Sequence, residues 1–377
     1  MLDFIIWDVA PQIFTIPQFS IFGNSFGPLA PVWYGLLFAT AFLIGQQIII
    51  KIYKIEGKSE KQVETLTIYM ILATVIGARL GHCIFYEPEE FFWEPAKLIK
   101  ILYIWHGGLA SHGAGIAILF AIWLYCRKYP TEKYFYILDR MAIIVALAGC
   151  FIRFGNLMNS EIIGIPTDAS QGFVFVNSTT TYLKEDFKQI KEIEVKQNGK
   201  DTTFEGIYLR GIDIKMKIKS FGNGNLKEMA EDKICRVING INVDSAQGFH
   251  SDRTHVLVLN TKDAATVGAE DRKGTTVTIR AWGVPRHPTQ LYESLSSLLL
   301  FFVLIYVYSR NKANTPQGLL FGIFMVWIFT LRFCYEFIKE NQVSFENGMP
   351  LNMGQILSIP MVVIGIVALV MSLKKKK

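Results

Sequence analysis

Ala142-Ile143-Ile144-Val145-Ala146-Leu147-Ala148-Gly149-Cys150-Phe151-Ile152-Arg153-Phe154-Gly155-Asn156-Leu157-Met158-Asn159-Ser160-Glu161 decides what kind of molecule this is. With the residues before it, the apolar run covers 134–154, close to the ~20 residues a helix needs to cross a ~30 Å hydrocarbon layer. It then stops at an arginine, followed within eight residues by two asparagines and a glutamate. Polar side chains gathered at one end of an apolar run point to a membrane span with a working rim, because an ionisable group at the bilayer centre costs at least ~2.5 kcal/mol.

Six further stretches approach the same length: 32–50, 66–86, 109–126, 291–308, 318–338 and 355–373, of which 109–126 and 291–308 are short. The fold class expected is mainly α, a polytopic bundle of seven transmembrane helices. The 377 residues are 51% hydrophobic and 19% charged, but residues 165–285 carry 33 of the 70 Asp, Glu, Lys and Arg side chains. Three segments follow: a membrane part at 1–164 with spans one to four, a polar insert at 165–285, and a membrane part at 286–377 with spans five to seven. A wholly soluble or disordered chain is excluded by this distribution, and the formal charge of +6 owes four charges to the tail Lys374–Lys377. That tail flanks a membrane and makes no nucleic-acid surface. Five cysteines in scattered positions form neither a disulfide framework nor a zinc spacing, so no metal is expected. Nor is a cleaved signal peptide indicated at the N-terminus, where Met1-Leu2-Asp3 offers no basic region.

Basic residues set the orientation. Lys51, Lys54, Lys58 and Lys61, then Arg127, Lys128 and Lys133, then Arg310 and Lys312, then the lysine tail occupy alternate loops, whereas the other short loops hold Lys97, Lys100 and Lys339. The positive-inside rule puts the C-terminus in the cytoplasm and the N-terminus and insert outside it. Apolar stretches in the insert at 173–176, 212–218, 234–243, 256–259 and 276–279 read as an antiparallel β-rich head, with one short helix near Lys227 to Asp232. Asp232 to Val243 faintly resembles the strand-turn-strand of PDZ domains, without their glycine-rich loop.

On this topology several spans deliver polar groups to the outer leaflet. Tyr34 opens the first; Arg79 lies in Gly77-Ala78-Arg79-Leu80-Gly81; His106 and His112 precede or begin the third; Arg153, Asn156, Asn159 and Glu161 end the fourth. Arg286, His287, Tyr292 and Glu293 introduce the fifth, and Arg332 and Glu336 close the sixth. Four arginines offer forked, permanently charged donors that suit phosphate oxygens, the chemistry of a phospholipid headgroup. His112 adds a side chain whose ordinary pKa permits proton transfer near neutrality. Taken singly, an arginine near a helix end snorkels, glycines around His112 permit helix packing, and the two glutamates pair with arginines. Together they are too costly to be anchors alone. A transporter or a binding protein for anionic lipids is the alternative reading; it calls for polar positions near the midplane and an internal repeat, and the sequence has neither.

In these blocks, with Val32-Trp33-Tyr34-Gly35, Gly107-Gly108-Leu109-Ala110-Ser111-His112-Gly113 and Met353-Gly354-Gln355-Ile356-Leu357-Ser358-Ile359-Pro360, the sequence resembles the bacterial phosphatidylglycerol-prolipoprotein diacylglyceryl transferases. The resemblance runs in order through the membrane portion. It implies a multi-pass inner-membrane enzyme without cofactor, moving diacylglyceryl from phosphatidylglycerol to the lipobox cysteine of a prolipoprotein signal peptide and releasing glycerol phosphate. It implies His112, Arg153 and Arg332 as catalytic, with Tyr34, Arg79, Asn156, Asn159, Glu161, Arg286, His287, Tyr292, Glu293 and Glu336 around the substrates. Asn159-Ser160-Glu161 departs from the usual Asn-Gly-Glu, Phe154 from a small aliphatic, Ile328-Phe329 from a Tyr-Gly pair, and the insert is longer than is usual.

Overall fold

The computed structural model describes residues 4–21, 24–88, 101, 108, 110–219, 225–240, 243–244, 248–249, 255–272, 274–340 and 348–374. His106, Gly107 and Leu109 lie outside the described residues, as do Lys97, Lys100 and the last three lysines. The chain divides into two compact units. One comprises residues 1–38, 151–295 and 332–356; the other comprises 39–150, 296–331 and 357–377.

The second unit is helical. Among the described residues, six helices are long and apolar enough to cross a membrane: Trp33–Ile55, Glu60–Phe85, Tyr134–Met158, Thr289–Asn314, Leu319–Ile338 and Met353–Lys374. The expected third span is present as the helix Ser111–Lys128 but is not among them. The reason is chemical: Ser111, His112 and Gly113 at one end and Arg127 and Lys128 at the other take up part of its 18 residues. Gly77 and Gly113 hold this helix against Glu60–Phe85, since a Cβ at Gly77 would lie 2.7 Å from the Gly113 carbonyl oxygen and 2.3 Å from the Ala117 methyl. Such backbone contact is how membrane helices associate when burial of apolar surface drives nothing.

The charged groups Glu56, Lys58, Glu132, Asp139 and Arg140 of this unit meet partners within the protein, as a bilayer demands. Arg140 donates to Glu56 at 2.6 Å, Tyr136 also donates to Glu56, and Lys58 pairs with Glu132. Asp139, wholly buried, accepts from the backbone N–H groups of Gly318 at 2.8 Å and Phe321 at 2.9 Å. It therefore caps the start of the helix that begins at Leu319 from another helix, satisfying donors that the helix itself leaves open.

The first unit contains the sheet. Strands β1 (Ile5–Trp7), β2 (Phe19–Ile21) and β3 (Asn24–Phe26) precede the first long helix, and β2 pairs antiparallel with β3. Then come β4 (Phe173–Phe175), β5 (Ile190–Gln197), β6 (Thr202–Phe204), β7 (Ile207–Ile218), the short pair β8 (Val243–Asp244) and β9 (Gly248–Phe249), β10 (Val256–Leu257), β11 (Ala265–Asp271) and β12 (Gly274–Gly283). The main sheet is antiparallel in the order β10-β12-β7-β5, with β11 on β12 and β6 on β7. Its register follows side-chain alternation: Ile212, Ile214 and Met216 face Ala281, Ile279 and Val277 across the pair, and all six are buried, while Asp213, Lys215 and Lys217 take the other face. The N-terminal strand β1 joins this unit by pairing parallel with β4.

The β reading is overturned over 234–240, whereas Val243 is in β8. Leu226–Met229, Ala230–Ile234 and Cys235–Gly240 are helical, and so is Asn177–Asp186, where no element was expected. Ala230, Ile234, Cys235 and Ile238 are buried at helical spacing against the sheet. The amide of Asn239 does what a strand neighbour would, accepting from Val258 N at 2.8 Å and donating to Val258 O at 3.0 Å. The PDZ-like strand-turn-strand is therefore absent. The predicted strand at 256–259 shortens to β10.

Replacing Asp139 by Ala is expected to lower stability by about 2 kcal/mol, because two buried N–H groups lose their acceptor. Thermal unfolding in detergent measures it.

Candidate functional site

Five charged side chains of the first unit form one ladder of alternating sign. Arg153 Nε lies 2.7 Å from Glu293 Oε2. The other oxygen of Glu293 is 2.5 Å from Lys339 Nζ, which is also 3.3 Å from Glu336 Oε1. Arg332 Nε stands 3.8 Å from the same Glu336 oxygen, and Asn352 Nδ2 donates to Glu336 Oε2 at 3.1 Å. Gly354 permits this approach, for a Cβ there would meet the Glu336 carboxyl carbon at 2.7 Å. Glu293 was expected beside an arginine and is. Glu336 was expected to fix Arg332, and its shorter contacts are with Lys339 and Asn352.

Lys339 was missed. It appeared in the sequence only as a loop cation, yet its side chain is 3% exposed. The signal was there: Arg332, Glu336 and Lys339 are spaced four and three apart, so a continuing helical turn places them side by side. The helix Leu319–Tyr335 does continue as a 3-10 turn at Glu336–Ile338. A lysine with so little water contact requires both carboxylates, and removing one partner of a buried pair costs about 3–5 kcal/mol.

A second branch leaves Arg153. Its Nη1 donates to Asn156 Oδ1 at 3.5 Å, while Asn156 and Asn159 donate to the two oxygens of Glu161 at 3.3 and 3.2 Å. Glu161 reaches back because the chain reverses after Met158: Ser160 and Ile162 both adopt left-handed backbone, φ 54° and 57°. Two residues at the start of the next long helix hold that reversal, Gln290 donating to Glu161 O at 2.6 Å and Thr289 to Ile162 O at 3.0 Å. The departure from Asn-Gly-Glu thus falls at a position whose geometry suits glycine. Tyr34 belongs to the same unit, packed where a Cβ on Gly155 would come within 2.9 Å of its ring.

Arg286 does something other than line a headgroup pocket. It is fully buried, donates to Gly164 O at 3.2 Å, pairs with Glu340, and exchanges backbone hydrogen bonds of 2.9 Å with Phe173. No surface of it remains for a substrate, because the chain strands entering and leaving the head close around it. His287 Nδ1 is 3.5 Å from Tyr292 Oη, and burial pushes the imidazole pKa down while Asp168 pulls it the other way.

Arg79 and His112 belong to the other unit. Arg79 is buried and donates to Ile101 O at 3.0 Å and Gly108 O at 3.3 Å. His112 is exposed, with its ring 5.1 Å from that of Phe85 and 5.6 Å from that of Tyr86. Among the described residues no group of three or more His, Cys, Asp or Glu is arranged to hold a metal ion.

The family model for prolipoprotein diacylglyceryl transferase matches residues 22–371. The chain belongs to that family. Among relatives named phosphatidylglycerol--prolipoprotein diacylglyceryl transferase, that of Tolumonas auensis is 34% identical over 93% of this chain and 94% of its own length. That of Chloroherpeton thalassium is 32% identical over 99% and 96%, and that of Bacteroides fragilis 30% over 98% and 96%. Alignments of 350, 373 and 379 residues at such coverage take in the insert, so these family members share its length, and the departure noted in the sequence does not separate this chain from them.

Two outcomes test the site. Ser160→Gly is expected to raise stability by about 1 kcal/mol, relieving left-handed strain and deleting a hydroxyl that is buried without a hydrogen-bond partner. Lys339→Met is expected to lower it by about 3 kcal/mol, with part recovered when Glu293→Gln is added. Unfolding midpoints of the purified variants read both.

Proposed function

We propose that this multi-pass membrane protein transfers the diacylglyceryl group of phosphatidylglycerol to the cysteine thiol of a prolipoprotein lipobox, the first step of lipoprotein maturation. The observation that carries the reading is the charge ladder. Arg153 and Arg332 stand at its two ends, their side chains 23% and 38% exposed, while Lys339 between them is buried. Two guanidiniums held by carboxylates, each with surface left to meet an anion, suit a phosphate diester and the phosphate monoester that leaves.

The thiol sulfur attacks the glyceryl carbon that bears the phosphate. The carbon–oxygen bond breaks, its electron pair leaves with glycerol phosphate, and a thioether forms. Charge grows on the departing phosphate, so preorganised guanidiniums lower the barrier. A free thiol with pKa ~8.5 is mostly protonated at neutral pH; His112 accepts its proton, and the nearby cationic charge favours the thiolate. Asn156, Asn159 and Glu161 orient Arg153 or the headgroup, Tyr34 and Arg79 are further residues for the lipid headgroup, and Glu336 steadies Arg332. His287, Tyr292 and Glu293 support the same region.

In this reading Ser111–Lys128 is the third of seven spans, the head and N-terminus lie outside the cytoplasm, the C-terminus lies within it, and the membrane is the bacterial inner membrane. The loop lysines and arginines support that orientation.

Purified protein with phosphatidylglycerol and a lipobox peptide is expected to yield a peptide heavier by one diacylglyceryl unit; no mass gain beside an active control overturns the reading. Arg153→Ala and Arg332→Ala are each expected to lower kcat by about a hundredfold or more. His112→Gln is expected to lower it by about a hundredfold, and full activity would remove that histidine from the chemistry.

A further inference from the structure

A cleft of about 520 Å³ opens in the first unit between two walls. One wall is Pro166, Thr167, Asp168 and His287; the other is Thr203, Gly206, Ile207 and Tyr208. The cleft plays no part in the transfer chemistry, and no residue of it other than His287 belongs to the candidate site.

Both walls are built firmly. The second is the turn between β6 and β7, tightened by left-handed Glu205 and Gly206 with φ 49° and 79°. Tyr208 in it donates to Asp201 at 3.0 Å, and Asp201 also accepts from Arg210 and the Gly211 N–H, both at 2.9 Å. The first wall is the neck of the head, where Thr167 N donates to Pro285 O at 2.8 Å, His287 N to Ile165 O at 3.2 Å and Gly164 N to His287 O at 3.1 Å.

That neck also carries the reactive rim. His287 in the cleft wall is two and three residues from Thr289 and Gln290, which hold Ile162 and Glu161. Asp168 is seven positions beyond Glu161, so chain geometry limits their separation to roughly 25 Å. An extended peptide of about seven residues covers that distance.

We propose that this cleft binds the polypeptide segment that follows the acceptor cysteine, in extended form. The inference rests on the transferase reading. Its walls select the occupant: Thr167, Asp168, Thr203, Tyr208 and His287 present hydroxyl, carboxylate and imidazole groups, which suit a peptide backbone with small polar side chains and do not suit an acyl chain. A peptide held there is tethered within reach of Arg153 and Glu161, which raises the effective concentration of its cysteine.

The full-length protein with phosphatidylglycerol vesicles and two lipobox peptides tests it, one ending directly after the cysteine and one carrying about seven further small polar residues. The longer peptide is expected to show a kcat/KM about tenfold higher, through KM, the yield of one or two added hydrogen bonds. Thr203→Trp, which fills the cleft, and Asp168→Arg are expected to bring the ratio between the two peptides close to one. Equal kcat/KM for both peptides with the wild-type protein, or a ratio that survives both substitutions, overturns the cleft while leaving the transferase intact. Product from neither peptide overturns the transferase reading itself. With the unmodified protein, a photoreactive residue about six positions after the cysteine is expected to cross-link to the 203–208 turn. Cross-links confined to a separate cleft of this unit, beside Tyr182 and Arg236, overturn the proposal as well.

Discussion

Glu293 shares its carboxylate between Arg153 and Lys339, and the rest of the site hangs on that sharing. A buried carboxylate is costly, a buried ammonium equally so, and each is tolerated because the other is in contact. Lys339 then presents its remaining valence to Glu336, which meets Arg332 and Asn352. Charges of alternating sign, contributed by the ends of three long helices and the turn that follows one of them, thus fix the spacing of two guanidiniums that retain access to ligand. A single neutral substitution in the interior of this ladder leaves an uncompensated charge rather than a simple gap.

The neck between the long helices and the sheet is the second constraint. Arg286 is enclosed there by Gly164, Phe173 and Glu340, and its burial shapes its neighbourhood: beside its guanidinium, His255 is buried deeply enough for its pKa to fall to about 3. Desolvation is the larger cause, and the positive charge of Arg286 adds to it. An imidazole kept neutral while its unfolded counterpart titrates near ~6.5 favours folding above that pH and loses this advantage as pH falls below it. The same neck holds the left-handed turn at Ser160 and Ile162 through Thr289 and Gln290. Stability of the head and placement of Glu161 are therefore one problem.

Much of this was legible in one dimension. Apolar runs marked the long helices, and the run 109–126, read as short, is the helix Ser111–Lys128, whose polar ends leave it outside the six long apolar helices. Alternation located β7 and β12, in which buried and less buried residues alternate from Ile212 to Ile218 and from Val277 to Gly283. Alternation failed over 234–240, because Ile234, Cys235 and Ile238 fit a helical face as well as a strand. What arbitrated was the sheet against which they pack. Glu293 and Arg153 were named separately and their pairing suggested, but Lys339 was lost because a cation in a short loop reads as solvated until its surroundings are known. Arg286, read from the sequence as one of four phosphate-facing arginines, is buried and paired with Glu340.

The sequence by itself determined the class of molecule and the family, because hydrocarbon tolerates few polar groups and those that persist stand out in order along the chain. It also determined which residue types stand ready to meet a phosphate. Tertiary structure alone decided which of those residues keep a free surface and which are consumed in holding the protein together. Arg153, Arg286 and Arg332 are chemically identical side chains, and what separates them is desolvation and the carboxylate each one meets, quantities that arise only when distant segments close upon one another.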